Sequence, residues 1–426
     1  MKVDTDQFMR DGYLLLRNVV PADELADMRL TAELMVDAAK RNSQAARQEG
    51  DPQGGDWYAD VQPRVPIHKV VTEETAHLVD FLLGENTLGV SAQLLSSPET
   101  AICSAEISCS GLIDYGYGDW HRDAATAEQA PTSGVQADMM ANSIGYVQWN
   151  IALYDDDVFW FLPGSHKQRT TDLQRRELLT DNHAALTGGV QMDLKPGDGV
   201  VYCNIGQHWG SFYSSKLRRT FHLGFRSFGS DLFTTSHHFN WDADLEFTHR
   251  LSVSAREFYF CSAHLWAEER DRIEATLRAL TLRDEAGFLA GLADLHPGRK
   301  HRMVAVILLC HIAAKITQIQ TPELATMSAV ERRPLIDGSP PAAYSEDMAA
   351  RFTAEEAAAL GERFAELHRR LDSEEARVEA RYTRLHAELK PAATAPPNFR
   401  SRSLRCFNSE MPEGFDVDEF VASWKG

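Results

Sequence analysis

The sequence predicts an α+β protein with a β-rich first half and a helical second half. Up to about Ser230 the chain reads as short runs edged by Gly, Pro, Asp and Asn: GYVQWNIALY, VFWFLPGSH, VQMDLKPGDGVVY and RRTFHLGFRS. Each is strand-like with turn residues at its border. Closely spaced strands of this kind close into a sandwich or barrel. Beyond about Trp241, Ala, Glu, Arg and Leu dominate, and helical periodicity replaces alternation. With 426 residues, 43% of them hydrophobic, the chain has room for about two or three domains with real cores.

Taken in order, PADELADMRLTAELMVDAAKRN sets an apolar face at helical spacing behind Asp23, so a helix precedes the sheet with Asp23 at its start. After the strands, SAREFYFCSAHLWAEERDRIEATLRAL and the run around Ile307 read as packed helices. From Thr353 to Lys390, Phe364, Leu367, Leu371, Val378, Tyr382, Leu385 and Leu389 recur at near-heptad intervals. That is a helical hairpin or one long helix, with Asp372 to Glu375 as a restart cap. PAATAPP, from Pro391 to Pro397, reads as a linker to an acidic tail ending FDVDEFVASWKG. No internal repeat is found. The expected division is 1–235 and 236–426, with the second part a packing or dimerisation module, through which a homodimer forms, or a lid.

Composition excludes several classes of function. The formal charge of −19 repels phosphate backbones and anionic lipid, so nucleic acid is not an expected partner. The same balance argues against a free coenzyme A thioester, because no basic cluster stands ready for its phosphates. MKVDTDQFMRDGYLLLRNVV is not a signal peptide, and MVAVILLCHIAAKI is interrupted by His311 and Lys315 and too short for a bilayer. The expectation is a cytoplasmic protein without membrane contact. Six scattered cysteines without a Cys-x-x-Cys pair read as reduced thiols packed as small apolar residues.

GDWHRDAAT places His121 and Asp123 two residues apart. With 16 histidines in the chain, roughly one His-x-Asp triplet is expected by chance, so context has to decide. Residues i and i+2 of a strand share a face and reach one ion, whereas in a helix they diverge by about 200°. His386 and Glu388 form such a triplet on an evident helix and are discarded. YGYGDWHRD instead sits among Gly and aromatic residues at the edge of the β-rich half. KPGDGVVYCNIGQHWGSFY supplies a third ligand, His208, from a strand fed by a Pro-Gly-Asp-Gly turn. Two imidazoles and one carboxylate on one side of a metal, with open positions opposite, suit a non-haem iron(II) oxygenase. On the next strand stand Arg218 and Arg219, either of which offers a guanidinium to the far carboxyl of a dicarboxylate. Alternation sets Arg219, Phe221, Leu223 and Phe225 as an apolar outward stripe. Arg218, Thr220, His222 and Gly224 form the polar, small stripe suited to a cavity, which favours Arg218.

Together DGYLLLRNVV, WHRD, FWFLPGSHK, KPGDGVVYCNIGQHWGS and RRTFHLGF, over roughly residues 7–228, resemble the phytanoyl-CoA dioxygenase family of iron(II)- and 2-oxoglutarate-dependent oxygenases. The resemblance implies a double-stranded β-helix (jelly-roll or cupin-like) core with N-terminal helices before it and the large α-helical region after it. It implies iron held by His121, Asp123 and His208, with 2-oxoglutarate anchored by Arg218 or Arg219 and dioxygen as the oxidant. The reaction implied is oxidation, foremost hydroxylation, of a small organic molecule such as a natural-product intermediate, coupled to decarboxylation of 2-oxoglutarate to succinate and CO2. Because Asp123 keeps a carboxylate where related halogenases vacate the position, halogenation is not expected. The loop YDDDV before PGSHK is shorter than the family's usual turn, and the His208 to Arg218 interval is one residue tight, which keeps Arg219 open.

Around these, Gln148 and Asn150 share a strand face and are expected either to line the 2-oxoglutarate pocket or to hydrogen-bond across strands. Tyr115, Tyr117 and Trp120 form an aromatic wall for substrate or simple packing. His222 faces the cavity or is a satisfied core histidine. Asp155, Asp156 and Asp157 read as a solvated turn, and His166, behind its Pro-Gly turn, as a non-ligand. Two other functions stay open: a non-catalytic barrel scaffold whose helical half recruits a partner, and a cupin-like metal isomerase that does without 2-oxoglutarate.

Overall fold

The computed structural model describes residues 1–58, 62–95, 97, 99–114, 120–123, 131–181, 184–211, 213–228, 245–295, 302–332, 335, 348–389, 412, 414 and 416–423. The chain forms two compact units, Met1–Arg122 with Tyr146–Ser227 and Trp241–Ser262, and Asp123–Gly145 with Phe228–Asn240 and Ala263–Gly426. The sequence suggests one cut near residue 235, but the units interleave. The reason is a helix between the His-x-Asp triplet and the following strand, Thr132–Asn142, which packs on the helix Arg302–Ile319 of the second unit.

Among the described residues the first unit holds nine strands: β1 Tyr13–Leu16, β2 Arg64–Pro66, β3 Thr100–Cys109, β4 Tyr146–Ala152, β5 Phe159–Phe161, β6 Val190–Gln191, β7 Gly199–Tyr202, β8 His208–Gly210 and β9 Arg219–Ser227. Six make an antiparallel sheet in the order β1-β7-β4-β9-β3-β2, and three make a second, β6-β5-β8. Period-two alternation explains the layering. One face of β4, β7 and β9 carries Ala152, Val200 and Tyr202, which pack with Phe159, Phe161, Met192 and Leu194 of the smaller sheet and its flank. This is a jelly-roll-like core. On the opposite face, Phe221 meets Phe81 of the helix His77–Leu82 at 6.4 Å between rings, and the fully buried Trp149 donates its indole N–H to Ser91 of the helix Leu88–Leu95 at 2.9 Å. The stripe Arg219, Phe221, Leu223, Phe225 thus does face helices. The longest strand, β3, escapes a sequence reading. TAICSAEISC is buried at nearly every position and contains small and acidic residues, so it shows neither alternation nor a β-branched run.

Helix α1, Thr5–Asp11, starts where the Asp4 carboxylate accepts from the Gln7 N–H at 2.9 Å and stops at Gly12, whose φ of 84° suits a residue without Cβ. Helix α2, Leu25–Ala45, buries Met28, Thr31, Ala32, Met35 and Val36 on one face. Its cap is Glu24 without a side-chain bond, one residue past the expected Asp23.

The second unit is helical. Arg302–Ile319 is buried on most sides from Val304 through Ile316, as a predominantly apolar helix must be in water, with His311 and Lys315 only partly buried. Ala354–Leu389 is one helix of 36 residues without a restart at Asp372. Its Ala, Glu, Leu and Arg are strong helix formers, and Glu366 with Arg369 and Arg370 and Glu374 with Arg377 add pairs at helical spacing. Ala357, Leu360, Phe364 and Leu367 are buried along one side. Phe364 stacks on Phe420 at 5.7 Å, in the short helix Val417–Ala422 that Asp416 caps. Pro391–Pro397 and Cys406 lie outside the described residues. The described cysteines are free thiols, and only Cys261 among them is exposed. No helix among the described residues is long and apolar enough to cross a membrane.

Gly12→Ala is expected to lose more stability than Gly50→Ala. Both need positive φ, at about 1 kcal/mol for a residue with Cβ. At Gly12, however, the added atom would lie 2.5 Å from His166 Nδ1, whereas at Gly50 it meets nothing within 4 Å. A further ~1–3 kcal/mol is expected at Gly12 from overpacking, and urea unfolding midpoints of the two variants measure the difference.

Candidate active site

The loop between β7 and β8 delivers His208. Its backbone pairs with His121 in both directions, His121 N–H to His208 O and His208 N–H to His121 O, each at 2.9 Å. This isolated bridge extends the small sheet by one residue pair. It brings the imidazole rings to 4.4 Å between centroids. Asp123 follows two residues on in extended chain, on the same side. The ligand atoms of His121, Asp123 and His208 all lie within 4.8 Å of one another, the one such cluster among the described residues.

His208 Nδ1 lies 2.9 Å from the carbonyl of Gly206. A carbonyl accepts only, so Nδ1 carries the proton, and the lone pair sits on Nε2, the state a metal ligand needs. The acceptor is placed by glycine. A Cβ at Gly206 would stand 2.2 Å from Phe161 Cζ, so no other residue fits that path. Tyr202 at 5.0 Å and Phe159 at 5.9 Å flank the His208 ring, giving the site an apolar side.

The two arginines go to different faces. Arg219 turns outward, where Nε and the terminal Nη2 meet the two carboxylate oxygens of Glu33 at 2.9 and 3.0 Å and Nη1 donates to Arg218 O at 2.8 Å. The Nε contact is an ion pair without hydrogen-bond geometry, whereas Nη1 and Nη2 donate hydrogen bonds. Arg218 turns to the inner face, and its Nε donates to Asp156 Oδ2 at 2.8 Å. The Thr220 hydroxyl donates to the same oxygen at 2.6 Å, and Asp156 Oδ1 accepts from the Val158 N–H at 3.0 Å. Burial by itself pushes the Asp156 carboxyl up, but Arg218, Thr220 and Val158 together hold it below its usual value. Among the described residues, its guanidinium hydrogen-bonds through Nε, and the terminal nitrogens Nη1 and Nη2 take no part in that bond.

Asp156 corrects the reading of the acidic triplet as a solvated turn. Asp155 pairs with Lys195 and Asp157 with Lys216 near the surface, yet Asp156 is buried. In extended chain it shares a side with the buried Val158, an alternation that counting adjacent charges conceals. Trp120 takes the packing alternative: its indole N–H donates to Ala184 O at 2.8 Å, its ring lies 5.9 Å from Trp209, and it is fully buried. It is core, not a substrate wall. Tyr115 and Tyr117 lie outside the described residues. Gln148, Asn150 and His222 share the inner face through the β4–β9 register. Asn150 Oδ1 and His222 Nδ1 are 3.0 Å apart, a cross-strand bond, while Gln148 Oε1 is buried without a hydrogen-bond partner among the described residues. His166 meets the Met9 carbonyl through Nε2 at 3.0 Å, beside Gly12, away from the triad's ligand cluster.

Residues 8–204 match the family described as Phytanoyl-CoA dioxygenase (PhyH). The chain carries a PhyH-family domain. The matched stretch contains His121 and Asp123 and ends just before His208. The family's cofactors are iron(II) and 2-oxoglutarate, and two imidazoles with one carboxylate form a donor set that fits the first. No curated protein matches the chain. Similar solved structures include the non-heme alpha ketoglutarate dependent epimerase SnoN from nogalamycin biosynthesis, at 17% identity and TM-score 0.36, covering 52% of this chain and 79% of that one. EctD from S. alaskensis with 2-oxoglutarate and 5-hydroxyectoine is similar at 19% identity and TM-score 0.38, covering 53% and 76%. HygX from Streptomyces hygroscopicus with nickel and 2-oxoglutarate bound is similar at 16% and 0.37, covering 53% and 88%.

Two outcomes are expected here. Asp156→Ala leaves the Arg218 cation buried and unpaired and is expected to cost about 3–5 kcal/mol, read by urea unfolding. Burial pushes the His166 imidazole down to about 4, opposed only in part by the Met9 carbonyl. The unfolded chain therefore binds the proton first. Stability is full above about 6.5 and declines as pH falls toward 4, by at most ~3 kcal/mol from this group. His166→Phe is expected to flatten unfolding free energy over that window, and an unchanged slope would refute the assignment.

Proposed function

We propose that the protein is an iron(II)- and 2-oxoglutarate-dependent dioxygenase that hydroxylates a small organic molecule, on a core arranged as a double-stranded β-helix. The observation that carries this reading is the convergence of His121, Asp123 and His208 on one point, with the guanidinium of Arg218 on the inner face of the same core. Iron bound with 2-oxoglutarate and dioxygen supplies an oxidant strong enough to take hydrogen from carbon. The chain's own share is to bind, orient and keep water out. His208 offers Nε2 because Gly206 holds its Nδ1 proton. Asp123 keeps a charged oxygen in the ligand set, where halide entry would require a vacated position, so oxygen insertion is favoured over halogenation.

Arg218 is the proposed anchor of the 2-oxoglutarate far carboxylate. Its two terminal nitrogens suit a two-pronged bond, and Asp156, itself held by the Thr220 hydroxyl, fixes the guanidinium at Nε. Arg219 is taken up by Glu33 and is not proposed. Gln148, Asn150 and His222 line the same inner face as candidate contacts for cosubstrate or substrate. The helical unit is proposed as a packing or dimerisation module, supported by Leu371 and Leu385, heptad positions that are only partly buried.

Anaerobic addition of iron(II) and 2-oxoglutarate is expected to produce a weak visible charge-transfer band, and air is expected to release succinate. Arg218→Ala should raise the 2-oxoglutarate Kd by about 30-fold or more, as loss of a buried charge pair does, while Arg219→Ala changes it by about threefold at most. No band and no succinate would leave the scaffold reading. Metal-dependent turnover indifferent to Arg218→Ala and to 2-oxoglutarate would leave the isomerase.

A further inference from the structure

Between the two ligands of the His-x-Asp triplet stands Arg122, a cation only 1% exposed. In extended chain it points away from its neighbours His121 and Asp123. Its Nη1 donates to the carbonyl oxygens of Ser165, at 2.6 Å, and Ile205; its Nη2 donates to Gln168 O at 3.3 Å and Thr170 Oγ1 at 3.4 Å. These acceptors belong to two stretches of chain. Ser165, Gln168 and Thr170 lie in the segment after β5, and Ile205 lies in the loop that leads into β8.

Those two stretches are themselves joined. The Ser165 hydroxyl accepts the Gln207 N–H at 2.7 Å and donates to Leu162 O at 2.6 Å, and Leu162 N–H donates to Gln207 O at 2.9 Å. Next to Ile205 is Gly206, whose carbonyl orients the His208 ring. A path of hydrogen bonds therefore leads from Arg122, through Ser165 and residues 205 to 207, to His208. At its start, Arg122 is bonded covalently to the other two ligands.

We propose that Arg122 is a positioning residue of the metal centre, tying the His121–Asp123 limb to the His208 limb through Nη1, which bonds both segments, while Nη2 holds the guanidinium in place against Gln168 and Thr170. This rests on the metal reading of the triad. A lysine in its place keeps the charge, but it lacks the second, coplanar nitrogen that meets Gln168 and Thr170 and so fixes where the bridging nitrogen lies. Partners of this outer kind are worth about 10- to 100-fold in metal affinity.

The test is Co(II) binding to the metal-free full chain, followed by its visible ligand-field bands, with thermal unfolding beside it. Arg122→Lys is expected to fold cooperatively, to bind Co(II) about 10- to 100-fold more weakly, and to change band shape, because the ligand geometry relaxes. A folded Arg122→Lys protein with affinity within about twofold and unchanged bands overturns the inference. Should that variant not fold, Ser165→Ala removes only the hydroxyl link to Gln207. A weakening of about threefold or more with altered bands then supports the path, and an unchanged spectrum and affinity overturn it. A wild-type protein that takes up no Co(II), or an Asp123→Ala variant that binds it equally well, overturns the metal reading itself.

Discussion

The reciprocal backbone pair between His121 and His208 is the constraint on which the site depends. The two histidines come from segments far apart in sequence, and closing the chain between them costs entropy that side-chain contacts alone repay poorly. Each main-chain bond contributes only about 1 kcal/mol net. Their importance lies in registration. In extended chain a slip of one residue turns every side chain to the other face, so the same two bonds that add a residue pair to the β6-β5-β8 sheet also decide that His121 and Asp123, and not Arg122, face the common point.

A similar division of faces organises the charges. Along the start of β9, adjacent arginines find separate carboxylates: Glu33, partly exposed on helix α2, takes Arg219, and the buried Asp156 takes Arg218. Glu33 uses both its oxygens on Arg219. Asp156 instead divides itself among Arg218, Thr220 and the Val158 N–H, satisfying its own burial while consuming a single donor of the guanidinium. Compensation of a buried ion pair is thereby combined with spare binding capacity, which a bidentate partner would have removed.

Much of this was legible in the sequence, for identifiable reasons. Short strands with clear turns, β4, β7 and β9 among them, showed themselves by alternation, and alternation also separated Arg218 from Arg219. The helical second half was readable from composition and period. What escaped had the opposite properties. β3 is buried on both faces and so carries no period, Trp120 presents the same letter whether it lines a pocket or fills a core, and the helix Thr132–Asn142 leaves the strands that flank it in sequence for the other unit. Asp156 was hidden by its neighbours, since three like charges in a row look like one solvated patch until backbone geometry separates the middle one. Arg122 was hidden by the ligands on either side of it.

The hold on His208 comes from a peptide carbonyl, and a peptide carbonyl is present whatever the side chain. No substitution deletes that acceptor; it is lost only when the main chain is displaced. The main chain can pass there because residue 206 has no Cβ, which would otherwise stand 2.2 Å from the Phe161 ring. Thus the space taken by a phenyl ring between the sheets forbids a side chain at the residue whose carbonyl selects the imidazole tautomer, so a packing constraint and a proton's location meet at one position.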